Sequence, residues 1–218
     1  MNRNDVILRN ENVLDYRTVE DLTREAFWNY HVPGCDEHYL LHIMRKANSF
    51  IPELDFVAEV NGKIVGNIVY TKAKIVDDNG DHHNVISFGP ISVLPAFQGK
   101  GIGSLLIEHT KTVAKELGYT AILIYGDPDY YSKFGFIASE NYKIGTSDNM
   151  YAVPLQALEL CPGALSNICG LFLEDEIYEI DKIAANEFDK TFSPKELISD
   201  LPTQIRFREL VEMRKIRL

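Results

Sequence analysis

The segment that most constrains this chain is Ile91-Ser92-Val93-Leu94-Pro95-Ala96-Phe97-Gln98-Gly99-Lys100-Gly101-Ile102-Gly103-Ser104. An apolar strand pattern runs into a loop with glycine at 99, 101 and 103, and helical periodicity starts directly after it. A helix start carries N–H groups without intrahelical acceptors and a partial positive charge. Glycines let a ligand approach that backbone closely, so the segment predicts a site for a phosphate or pyrophosphate. Two common phosphate motifs do not fit. The nucleotide P-loop needs Gly-Lys-Ser/Thr, and Gly99-Lys100-Gly101 lacks the hydroxyl that holds magnesium. A dinucleotide fingerprint needs GxGxxG, but its last glycine would fall on Ser104 or on Leu106.

The flanking sequence reads as alternating strands and helices. Val6-Ile7-Leu8 predicts a first strand. A helix follows from Asp15, which can cap it, with Val19, Leu22, Ala26 and Phe27 at helical spacing, and a second helix spans Asp36 to Ala47. Leu54 to Val60, Asn61-Gly62 and Lys63 to Ile75 predict a hairpin, since Asn-Gly fits a tight turn. Asn84 to Val93 predicts the next strand, with Pro90 as an irregularity. After the glycine loop, Leu105, Leu106, His109, Val113 and Leu117 predict the inner stripe of a helix that Gly118 stops. Ala121 to Tyr125 predicts a buried strand, and Asp127-Pro128 caps a short helix. Phe136 to Ala138 and Met150 to Leu158 predict closing strands. Beyond Pro162-Gly163 the chain reads as a helical tail with breaks near Ser193-Pro194 and Leu201-Pro202. Residues 174–200 are acidic, and Arg206, Arg208, Arg214, Lys215 and Arg217 make the last stretch basic.

With 218 residues, 45% of them hydrophobic, the chain can bury a sizeable core in one main domain with an appendage. Lys+Arg 22 against Asp+Glu 32 gives a net charge of −10, which argues against binding nucleic acid or an anionic membrane. No apolar run approaches the roughly 20 residues that span a bilayer. Cys35, Cys161 and Cys169 are odd in number and have no CxxC spacing, which fits a reducing compartment and no structural metal. Met1-Asn2-Arg3-Asn4-Asp5 leads into no apolar leader core, so the expectation is a cytoplasmic protein.

Ile91-x-Val93-x-Pro95-x-x-Gln98-x-x-Gly101-x-Gly103 resembles the coenzyme A signature of the GNAT superfamily of N-acetyltransferases. A second match lies downstream: Tyr130-Tyr131-Ser132-Lys133-Phe134-Gly135-Phe136 resembles that family's aromatic–Tyr–x–x–apolar–Gly–Phe segment. Gly126-Asp127-Pro128, and Leu158-Glu159-Leu160-x-Pro162-Gly163 further on, are similar to one bacterial branch, the YhbS-like acetyltransferases. The resemblance implies an α/β fold of α+β type: a mixed, mainly antiparallel central sheet flanked by helices. It implies a GNAT domain over residues 1–172 with a charged helical C-terminal extension over 173–218. It also implies acetyl-CoA as cosubstrate and an acetyltransferase acting by direct attack of a primary amine. Ile91, Ser92 and Val93 would line the pantetheine arm. Gln98, Gly99, Lys100, Gly101, Ile102, Gly103 and Ser104 would hold the pyrophosphate. The backbone N–H of Val93 would polarise the thioester carbonyl, and Tyr131 would protonate the departing thiolate.

The general base stays open among His82, His83, Asn84, Ser87, Glu53 and Asp55. Glu37 and His38 would face the acceptor side, and Trp28 and His31 would line the acceptor pocket. No base stands beside the cysteines in sequence. The acceptor is a small-molecule or peptide amine, and the chain is expected as a monomer or small homo-oligomer. A competing reading is a catalytically silent acyl-CoA-binding regulator or scaffold, against which Tyr131 weighs, since a binding module needs no acid.

Overall fold

The computed structural model describes residues 5–217; the leader reading of Met1–Asn4 lies outside them. Nine strands form one sheet with the path β1-β2-β3-β4-β5-β9-β6, with β10 joined to β3 and β7 joined to β10. These are β1 (Val6–Asn10), β2 (Phe56–Val60), β3 (Lys63–Asp77), β4 (His82–Val93), β5 (Ala121–Tyr125), β6 (Ile137–Ala138), β7 (Ile144–Gly145), β9 (Leu155–Glu159) and β10 (Gly170–Leu173). A separate pair joins β8 (Met150–Ala152) to β11 (Arg214–Ile216). The helices are α1 (Tyr16–Phe27), α2 (Glu37–Met44), α3 (Ile102–Glu116), α4 (Pro128–Tyr131), α5 (Lys182–Asp189) and α6 (Pro202–Glu212). Among the described residues no helix is long and apolar enough to cross a membrane.

The chain clusters into two compact units, and β3, β4, α3 and α6 each contribute to both. The first comprises Met1–Tyr70, Gly89–Thr110 and Glu176–Ile205. Here β1 and β2 pair antiparallel, and the β2–β3 hairpin turns at Asn61 (φ 51°) and Gly62 (φ 74°), the left-handed pair that this dipeptide predicts. Val19, Leu22, Leu41, Met44, Val57 and Val69 make its core. Asp15 holds the N-cap position of α1 but caps nothing in it: Arg9 donates to both its oxygens at 2.6 and 3.1 Å, and the Asn12 N–H donates to Oδ2 at 3.0 Å. The ion pair with Arg9 at the end of β1 outcompetes the cap. α2 ends at Met44 rather than Ala47, because the Lys46 and Ala47 N–H groups bond three residues back and tighten the chain into turns.

The second unit comprises Thr71–Phe88, Lys111–Asp175 and Arg206–Leu218. β5 and β9 pair antiparallel over five residues, while β4 and β5 run parallel and register at Ile86 opposite Ile122. Ile75, Val85, Leu123, Leu155 and Phe172 centre its core. The expected single strand over Met150 to Leu158 is two, because Pro154 has no N–H for a ladder: β8 turns to β11 and β9 to β5. β10 appears where the sequence reads as tail, bonded antiparallel to β3 with Leu171 opposite Val76. Glu159 of the Leu-Glu-Leu-x-Pro-Gly stretch accepts from the N–H groups of Gly163 and Leu165 at 3.0 and 2.7 Å, fixing the loop that leads into β10.

Two further expectations are corrected. The buried stripe of α3 is Ile102, Leu106, Ile107, Thr110 and Ala114, while Leu117 is 46% exposed, so the true face is rotated from the expected one. The tail is helical in a 3-10 turn at Glu176–Tyr178, in α5 and in α6, which carries Arg206 and Arg208; residues 190–201 carry no helix, and Arg214 and Lys215 lie in the strand β11. Asp189 takes two bonds from Arg24 (2.6 and 3.1 Å), and the Glu196 carbonyl takes the indole N–H of Trp28 (2.7 Å). At the basic end Lys215 pairs with Glu140 and Arg217 with Asp78, both at 2.6 Å.

A buried polar cluster in the first unit carries a pH dependence. Arg45, 3% exposed, donates to both oxygens of Glu11 (3.0 and 2.7 Å) and to Glu20 (2.9 Å). Glu11 also hydrogen-bonds the carboxyl of Asp55, which takes the Asn67 amide at 2.9 Å. Two touching, buried carboxyls do not both ionise at neutral pH. Burial first, then the bond and charge of Asp55, push Glu11 from 4.5 to about 9. The folded state therefore keeps a proton that the unfolded chain releases near 4.5. This contribution is full below that value and drains as pH rises toward about 9. The urea midpoint is expected to fall over that window, and to fall less steeply in Asp55→Asn. A wild-type midpoint that stays flat across the window contradicts the shared proton.

Candidate active site

In the first unit, β4 ends in the segment singled out from sequence. Ser92 is 1% exposed and its hydroxyl donates to Thr23 Oγ1 of α1 at 3.0 Å, so only its backbone remains for a ligand. Strand alternation turns Ile91 and Val93 to the other face, half-buried. The Leu94 N–H donates to the Val65 carbonyl at 2.9 Å. Gln98 Nε2 donates to the Val93 carbonyl at 3.0 Å and Lys100 Nζ to the Ala96 carbonyl at 2.7 Å, so both side chains fold the loop onto itself. Gly99 (φ 71°) and Gly101 (φ 85°) are left-handed, a conformation that side chains with a Cβ resist. The Leu105 N–H bonds the Gly101 carbonyl at 3.0 Å, which leaves the N–H groups of Ile102, Gly103 and Ser104 ahead of the first intrahelical bond. Ile102 and Leu106 anchor this helix start where β3 comes close: a Cβ on Gly66 would stand 2.9 Å from Ile102 Cγ2 and 3.2 Å from Leu106 Cδ1. The loop thus offers fixed donors and no bulk beside Gly99, where an added Cβ would meet nothing within 4 Å. That geometry fits a pyrophosphate.

In the second unit Asp127 caps α4, accepting from the Asp129 N–H at 3.0 Å, and Pro128 follows as expected. Arg206 donates to both oxygens of Asp127 (2.9 and 3.1 Å) and to Asp129 (2.9 Å), holding the Asp127 carboxyl below its usual range. Tyr131 ends this turn. Its ring lies among Phe88 and Phe136, both at 5.8 Å between centroids, and Tyr130 at 5.0 Å. It also lies directly on Gly126: a Cβ there would stand 2.2 Å from Tyr131 Cε2. Gly126→Ala is therefore expected to displace the Tyr131 ring. If Tyr131 is the acid that the family resemblance implies, turnover should fall to about the level of Tyr131→Phe with the affinity for acetyl-CoA unchanged, as steady-state kinetics would show. Turnover equal to wild type would mean the ring position is immaterial.

Ser87 of β4, 1% exposed, donates to Glu174 Oε1 at 3.3 Å. Glu174 follows β10 and is half-buried. Burial pushes its carboxyl to about 7, the Ser87 bond offsetting part of the rise. It also raises the phenol of Tyr125 on β5, after burial the largest influence there. Sequence reasoning named Ser87 but missed Glu174, which reads as one more residue of a solvated acidic run.

The other candidates fall elsewhere. Asp55 belongs to the buried cluster above, and Glu53, His82 and Asn84 are exposed. His83 Nε2 pairs with Asp77 at 2.8 Å and holds that carboxyl low. His31 Nδ1 lies 3.2 Å from Glu37, and Trp28 is spent on Glu196. His38 is fully buried, with Nδ1 3.5 Å from Cys35 Sγ and Nε2 3.1 Å from Asp189, so the structure does place an imidazole beside a cysteine. Burial, then the charge of Glu37, pushes that thiol up, which keeps it protonated and unreactive.

A mostly antiparallel sheet, a strand leading into a glycine loop, and a helix opening on that loop define a GNAT acetyltransferase fold. Residues 53–138 match the acetyltransferase (GNAT) domain model. The uncharacterized N-acetyltransferase YhbS of Escherichia coli K12 is 24% identical over 166 residues, covering 76% of this chain and 94% of that protein. The crystal structure of E. coli YhbS in complex with CoA aligns with a TM-score of 0.70 at 23% identity, over 81% of this chain and 93% of that one. A GNAT family acetyltransferase from Brucella melitensis in complex with acetyl-CoA aligns at 0.63 with 26% identity, over 79% and 97%.

Proposed function

We propose that the protein transfers the acetyl group of acetyl-CoA to a primary amine of a small molecule or peptide, by direct attack and without a covalent enzyme intermediate. The observation that carries this reading is the left-handed glycine loop opening α3, with first-turn N–H groups ahead of any intrahelical acceptor. The acetyl-CoA bound in the Brucella relative supports the choice of cosubstrate. In this proposal Gly99 to Ser104 hold the pyrophosphate, and the backbone of Ile91 to Val93 pairs with the pantetheine arm as an added strand. The Val93 N–H polarises the thioester carbonyl. Tyr131 protonates the leaving thiolate. The ring of Tyr131, seated on Gly126 among aromatic neighbours, favours an enzyme over a silent binding module. The proposal places the protein in the cytoplasm, as a monomer or small homo-oligomer. The test is release of CoA thiol together with an acetylated amine when acetyl-CoA is offered with polyamines, aminoglycosides and amino acids; no thiol release with any of them would sink it.

A further inference from the structure

We propose that Glu174 is the general base of this transfer and takes the proton that the attacking amine must shed; the assignment rests on the direct-transfer reading above. Ser87 and Phe88 are consecutive residues of β4, so their side chains leave opposite faces of the strand. Phe88 touches the Tyr131 ring, and Ser87 donates to Glu174. The acid and the carboxylate are thereby set on opposite faces of one strand. β4 and β5 share a single registered pair, Ile86 opposite Ile122, so the strands part beside Ser87 and Phe88, and a thioester lying in that opening meets the acid on one side and the carboxylate on the other. The Ser87 hydroxyl orients the carboxylate without neutralising it. Tyr125 on β5 is the titratable group beside it, and Asp148 and Arg214 act on that phenol in turn. A carboxyl near 7 is matched to accepting a proton at neutral pH.

The step balances as follows. The amine lone pair forms the C–N bond, and the nitrogen passes one proton to the Glu174 carboxylate. The C–S bond breaks with its electron pair on sulfur, which takes the Tyr131 proton. Glu174 then releases its proton to water and Tyr131 regains one, leaving the acetylated amine and CoA thiol.

Glu174→Gln preserves size and the bond from Ser87. Thiol release is followed from acetyl-CoA with spermidine, kanamycin or L-lysine as acceptor. The wild-type kcat/KM is expected to rise with pH through an inflection near 7. Glu174→Gln is expected to lose about 10²–10⁴-fold at neutral pH, lose that inflection, and recover in part at high pH where hydroxide takes the proton in place of the carboxylate. Its melting shift with acetyl-CoA should equal that of wild type, which also shows that the variant folds. Unchanged activity and pH profile in Glu174→Gln overturn the base while the transfer stands. An absent acetyl-CoA shift in the wild type overturns the transfer itself, and the base with it. A wild type that binds acetyl-CoA yet releases no thiol above the uncatalysed rate also overturns both.

Discussion

Gly101→Val is expected to abolish the rise in melting temperature that acetyl-CoA gives the wild-type protein. A ligand that binds only the folded state stabilises it by about 2.7 kcal/mol at a hundred times its Kd. For a chain of 218 residues each kcal/mol moves the midpoint by about 2–4 °C, so the wild-type shift should be about 5–10 °C. Gly101 sits at φ 85°, where a β-branched residue is strained. Its Cβ would also stand at the mouth of the helix whose N–H groups are proposed to hold the pyrophosphate. The ligand-free variant should melt somewhat below wild type, so the quantity to compare is the ligand-induced shift in each protein. Gly103→Val, in the first turn of α3, should behave alike. If Gly101→Val keeps the full shift, the loop does not carry the cofactor.

The second large effect concerns Tyr131. Tyr131→Phe is expected to lower kcat by about 10–10³-fold, less than the full range of general acid catalysis because a thiol of pKa near 8.5 leaves readily as thiolate. The KM for acetyl-CoA should stay within a factor of about two, since backbone donors of the loop supply the binding. Tyr130, 38% exposed and packed edge-on against Tyr131, should tolerate Phe with no kinetic effect. A crippled Tyr130→Phe beside an active Tyr131→Phe would shift the acid by one residue. Wild-type rates in both would remove tyrosine acid catalysis from the mechanism.

What sequence could and could not reveal divides along the range of the interactions. The Gly99–Gly103 loop, the Asn61-Gly62 hairpin and the Asp127-Pro128 start of α4 were legible because backbone conformation at each is decided by residues a few positions apart. Asp15 misled because Arg9 claims its carboxylate, and Arg9 is itself positioned by Glu59 on β2. The stripe of α3 differs by a small rotation, since Leu105 and Leu106 are equally apolar and the packing that buries Leu106, with β3 close at Gly66, is long-range. β10 is a short apolar run without alternation, and nothing local separates it from the tail that follows. Glu174 was invisible for a stronger reason: it meets Ser87 across 87 residues of chain, and its shifted carboxyl is a property of the folded surroundings alone.

The most direct test of the whole account is a paired measurement on the wild-type protein: CoA thiol released and N-acetylated product formed, counted by thiol titration and mass spectrometry in the same reaction with an amine acceptor. The account predicts the two in equal amounts from the first turnover, with no acetylated protein detected at any time. Thiol release accompanied by a labelled protein, or by acetate in place of acetylated amine, would contradict it.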